Sequence, residues 1–128
     1  MKWPQRTGVV LSALTTLFFA MDAIGKLLQI DPVMQGTLML GWPTSAVLPL
    51  GVLLIVGAVL YAVPRTSVVG AIYLTAYLGG AVAMHYRIGS PLATHVLFGV
   101  YVGAVTWGGL VLRSLALRRV VLRGLSGG

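Results

Sequence analysis

Four long apolar stretches, separated by short breaks marked by polar residues and prolines, dominate the chain: about Thr7 to Leu28, Ala46 to Val63, Ser67 to His85 and Thr94 to Leu115. A bilayer core about 30 Å thick is crossed by roughly 20 mainly apolar residues, each adding about 1.5 Å of helical rise. All four stretches meet that requirement. Pro43, Pro49 and Pro64 bracket the second. Pro64-Arg65 predicts a tight turn, because proline cannot continue the helix and restricts the residue before it. The connection from Gly89 to Pro91 is also short, so consecutive stretches are expected to return beside one another. The predicted fold is all-α: an integral membrane, up-down-up-down four-helix bundle forming one domain over residues 1–128.

The longest connection runs from Gln29 to Ser45. Within it, Pro32 to Leu40 sets Val33, Met34, Leu38 and Met39 around Gln35, Gly36 and Thr37, and Asp31 resembles an N-cap followed by proline at the first helical position. A short interfacial helix is expected there, with Trp42 as an anchor at headgroup depth; an irregular apolar loop is the alternative. The basic Met1 to Arg6 and the apolar run after it also open as a secretory signal does. That reading is set aside because the run exceeds the usual h-region of roughly 7–15 residues and no A-x-A site follows.

Composition places the chain in the membrane. Of 128 residues, 58% are hydrophobic and 9% charged, with mean hydropathy +0.96, whereas a soluble domain carries roughly 25% charged residues. No length is left for a soluble catalytic domain. The absence of cysteine excludes disulfides, thiolate metal ligands and CxxC redox chemistry. The net charge of +7 does not signal nucleic acid, since the basic residues fall in connections and tails and form no stripe interleaved with exposed aromatics. They read instead as topology. Lys2, Arg6, Arg65, Arg113, Arg118, Arg119 and Arg123 lie on one side, and Lys26 and Arg87 on the other, so both termini are expected in the cytoplasm and the chain in the cell membrane. The segment from Arg113 onward, residues 116–128 included, is expected to continue as a basic helix attracted to anionic lipid.

Small residues close helix contacts in membranes, where lipid is as apolar as leucine. Ala71, Thr75, Gly79 and Ala83, with Gly99, Gly103, Gly108, Gly57 and Ala58, are expected to pack helices within the chain; a homo-oligomer is the other use of such residues.

Ionisable groups inside a span are costly and become candidates for function. Asp22 and Lys26 stand one helical turn apart and can pair. His85 and Arg87 end the third stretch with Tyr86, and His95 opens the fourth. The alternating topology gathers Asp22, Lys26, His85, Arg87 and His95 toward one outward end, with Tyr73, Tyr77 and Tyr86 as hydroxyl donors, while the cytoplasmic halves hold nothing comparable. Asp22 and His85 could exchange protons there, and Lys26 and Arg87 could hold an anionic group or a carbonyl. The plain alternative is that the ion pair neutralises itself and the histidines satisfy loop carbonyls. No H-x-x-x-H or H-E-x-x-H spacing exists, so no metal site is expected, and no nucleophile or cofactor motif points to a stand-alone enzyme.

Gly25-Lys26-Leu27, the run from Gly57 to Pro91 with Pro64-Arg65, Leu78-Gly79-Gly80-Ala81 and His85, and the run from His95 to Arg113 together resemble the DoxX-like branch of the DoxX/DoxD proteins. The resemblance implies a compact four-helix membrane protein acting as an accessory or interaction subunit, with a membrane redox partner and a quinone as ligand. A small-molecule or lipid-like binding or transport bundle is the alternative. The family pattern G-x-x-E-x-x-G falls on Gly51 to Gly57, where Leu54 replaces the acid. Proton-coupled work in this member would therefore rely on Asp22.

Overall fold

The computed structural model describes residues 2–127, which form helices and no strand. In chain order these are α1 (Trp3–Leu27), α2 (Asp31–Met39), α3 (Val47–Ala62), α4 (Ser67–Arg87), α5 (Phe98–Arg113) and α6 (Leu115–Ser126). Short 3-10 turns lead into α3 and α4, and a π turn over Leu92–Val96 leads into α5. With these lead-ins, four segments are long and apolar enough to cross a membrane: Trp3–Leu27, Thr44–Ala62, Pro64–Arg87 and Leu92–Arg113.

The α3–α4 turn forms where proline requires it. Val63 is extended (φ −77°, ψ 122°) and ends α3. Thr66 then closes the turn by donating from Oγ1 to the Leu60 carbonyl at 2.7 Å. Helix α1 packs against α3 and α5, and α4 against the same two helices. Phe19, Leu54, Tyr61, Leu74 and Leu110 meet between them as the core. Outward-facing Leu14, Val59, Ile72 and Val100 are exposed, as a lipid-facing surface requires.

Glycine stands at every seam among the four long helices. Where α1 crosses α5, a Cβ on Gly8 would strike the Arg113 backbone, and one on Gly109 would lie 2.8 Å from Ser12 Oγ. Gly51 admits Lys26 between α1 and α3, Gly57 and Gly70 seat the α3–α4 pair, and Gly99 lies under Val82 where α4 meets α5.

The expected ridge on α4 is corrected. Ala71 is buried, but Thr75, Gly79 and Ala83 are exposed, and a Cβ on Gly79 or Gly80 would meet nothing within 4 Å. A helix turns about 100° per residue, so a strict four-residue repeat winds about 40° per step away from its starting face. The packed face is Ser67, Gly70, Ala71, Leu74 and Leu78.

Two local readings change as well. The short helix α2 is present, but extended Ile30 occupies the N-cap position, and Asp31 is the first helical residue, with no side-chain cap. The basic segment does not run on from α5: extended Ser114 (φ −105°, ψ 107°) separates the two helices, and its Oγ accepts the Leu117 N–H at 3.3 Å to start α6.

Candidate functional site

A cavity of about 730 Å³ lies between α1, α2, α4 and the segment that enters α5. Its walls are almost wholly apolar. Phe18 and Phe98 meet edge to face, with ring centroids 5.8 Å apart, and Val33, Trp42, Leu50 and Met84 extend the lining. Small residues of α4, among them Ala76, Gly80 and Ala83, lack the bulk to fill the space. Ala83, expected to pack against a neighbouring helix, thus borders a hollow rather than closing a seam.

Five of the eight polar residues singled out in the sequence line this cavity: Asp22, Lys26, Tyr77, His85 and His95. Helix α1 presents Asp22 and Lys26 four residues apart on one face, and their carboxylate and ammonium form a direct ion pair. The Lys26 side chain is 12% exposed and that of Asp22 35%. Lys26 can enter because the Gly51 position on α3 would otherwise place a Cβ 2.9 Å from its own Cβ.

The two histidines come from different helical segments. His85 lies in the last turn of α4 and His95 in the π turn, a geometry that widens the helix by one residue and recurs at functional sites. Their rings stand 5.9 Å apart at 61°. His85 Nδ1 is 3.2 Å from Ser90 Oγ, and His95 Nδ1 is 2.8 Å from Thr94 Oγ1. These local bonds engage Nδ1 of both rings and leave Nε2 of both for a ligand. Among the described residues, no group of three His, Asp or Glu side chains gathers as a metal site would require.

Tyr86 and Arg87 are exposed and do not line the cavity. Tyr73 is engaged elsewhere, donating to the Leu53 carbonyl at 2.7 Å across the α3–α4 pair. Sequence reasoning missed the aromatic walls Phe18, Phe98 and Trp42 as cavity residues, because an aromatic facing lipid and one facing a hollow look alike along the chain. It also missed the part played by α2, whose Val33, Gly36 and Thr37 cover one side.

The expectation that the other half holds no comparable polarity is corrected. Tyr61 is fully buried. Its hydroxyl donates to the Thr106 carbonyl at 2.6 Å and lies 3.0 Å from Ser12 Oγ. Arg113 Nη2 donates to the Tyr61 carbonyl and to Ser67 Oγ, each at 2.7 Å, with its guanidinium carbon 4.8 Å from the Tyr61 ring centroid. This network ties together α1, α3, α4 and α5. Its internal partners are satisfied by one another, as a structural lock requires.

The space and its donors suit an amphipathic molecule with a flat carbonyl-bearing head: apolar and aromatic walls for the body, with an ammonium and two imidazoles at the polar edge. The sequence model of the DoxX-like family matches residues 10–109 of the 128-residue chain. No curated protein and no solved structure matches it.

Proposed function

The chain belongs to the DoxX-like family, and from that premise we propose that it is an accessory membrane subunit whose cavity holds a quinone-type molecule within a membrane redox system. The observation that carries this reading is the meeting of the Asp22–Lys26 pair with His85 and His95 around one apolar hollow. Lys26 and a histidine Nε2 would hold the head-group carbonyls, and the Phe18–Phe98 pair would cover one side of the ring. A quinone supplies coupled electron and proton transfer when bound. The chain's part is to bind it, orient it and keep a titratable group within reach.

Leu54, fully buried in the core, stands where relatives are expected to carry an acid. Among the described residues, Asp22 is the one carboxylate that lines the cavity. Four alternating spans in an up-down-up-down bundle would place both termini in the cytoplasm and turn the cavity toward the opposite face. The excess of Lys and Arg at the start of α1, in the α3–α4 turn and from the end of α5 through α6 supports that orientation. Arg87 and Tyr86 would then stand at the outer rim, available to a partner protein rather than to the ligand.

The predominance of apolar surface in the lining favours a second reading, in which the cavity holds a lipid-like molecule with no redox role. Titration of the purified protein in nanodiscs with a short-chain ubiquinone analogue separates the two, reading Trp42 in the cavity wall as the fluorescence difference between the protein and its Trp42→Phe variant. Saturable quenching is expected, weakened about tenfold in Lys26→Met, equivalent to about 1.4 kcal/mol. Quenching that never saturates, or is unchanged in a folded Lys26→Met protein, would refute quinone binding. Saturable displacement of a fluorescent fatty acid without quinone competition would select the lipid-like reading.

A further inference from the structure

Helix α6 gathers most of its apolar residues on one face, with Leu115 and Leu122 outside it, and sets two of its three arginines on the other. Leu117, Val120, Val121, Gly124 and Leu125 follow the i, i+3, i+4, i+7, i+8 spacing of a single helical face. Arg119, Arg123 and Ser126 lie opposite. Leu117 packs toward the core, yet Val120 is 65% and Leu125 80% exposed. The helix has three arginines and no acid. Arg118 is partly engaged, its guanidinium donating to the Leu112 carbonyl, whereas Arg119 and Arg123 are exposed. A single residue, extended Ser114, separates α6 from the last span-length segment, so the helix leaves the axis of α5 at the level where that segment ends.

We propose that α6 lies in the membrane surface and binds anionic phospholipid headgroups, its apolar strip sunk toward the acyl chains and Arg119 and Arg123 at the phosphates. A helix of this kind has the large apolar–basic asymmetry of interfacial helices and little hydrophobicity overall. Its position next to a span supplies the bilayer at no cost in association. Charge complementarity selects anionic lipid over zwitterionic lipid, since each basic residue near such a surface strengthens binding about fivefold. A protein partner would have to cover the same strip in competition with the adjacent bilayer.

The chain contains no cysteine, so Val120→Cys, Leu125→Cys and Ser126→Cys each create one labelling site. The full chain, labelled with bimane, is reconstituted in phosphatidylcholine vesicles with or without on the order of 30% phosphatidylglycerol, and quenching by aqueous iodide is read. Labels at 120 and 125 are expected to be protected several-fold more than the label at 126. That protection should grow with phosphatidylglycerol and fall in high salt. Arg119→Gln with Arg123→Gln, both at exposed positions, should abolish the phosphatidylglycerol dependence while leaving the thermal unfolding of the spans unchanged. Equal quenching at all three positions overturns the proposal and leaves the strip to a protein partner. Protection indifferent to phosphatidylglycerol overturns the headgroup assignment.

Discussion

Asp22 and Lys26 neutralise each other at the edge of an apolar cavity, so removing either one strands the other. Asp22→Asn and Lys26→Met are each expected to lower stability by about 1–2 kcal/mol, the modest scale of polar contacts in membrane helices. The double substitution Asp22→Leu with Lys26→Met should recover most of that loss, since a matched apolar pair leaves no buried charge behind. Unfolding in mixed micelles, followed by tryptophan fluorescence, measures the coupling; strictly additive losses would mean the pair is not a unit. This contact was legible in the sequence because it is local, fixed by one helical turn. The approach of His85 to His95 was legible once the spans were placed. The Tyr61–Arg113 contact was not, because the two residues stand 52 positions apart and each reads alone as an ordinary residue at the end of a span. Nor does the sequence distinguish Phe18 and Phe98, which face the hollow, from the many aromatic and aliphatic residues that face lipid.

Between elements, glycine decides how closely helices approach. Gly70→Ala would press a methyl group into the backbone of Leu60 and Tyr61 and is expected to cost about 1–3 kcal/mol or prevent assembly, as overpacking does. Gly79→Ala meets open space and should be neutral or stabilising by up to about 1 kcal/mol through helix propensity. Thermal unfolding of the two variants in the same detergent gives the comparison, and equal losses would contradict the seam assignment. Hydropathy made the four long helices legible, to within a few residues at most ends. It could not say which glycines close seams, because that depends on helix rotation, and four-residue spacing drifts around the helix. It also gave no warning of the break at Ser114, where a serine cap competes with continuation of α5.

For the whole molecule, the proposed alternating arrangement makes a direct prediction about sidedness. In intact cells, Ser90→Cys should react with a membrane-impermeant maleimide, while Arg65→Cys should react only after permeabilisation; reaction of both from the same side would rule out the arrangement. The glycine seams bear on the molecule at this scale too. A lipid-facing position need only be apolar, and Leu, Ile, Val and Phe are interchangeable there at little cost, whereas Gly8 or Gly70 admits a single residue type, whose side chain is one hydrogen atom. The instructions for assembly are therefore written unevenly, in a few letters spread along a permissive text. Descendants of this chain can rewrite nearly all that the lipid touches and still inherit the same shape, as long as those few letters are copied faithfully.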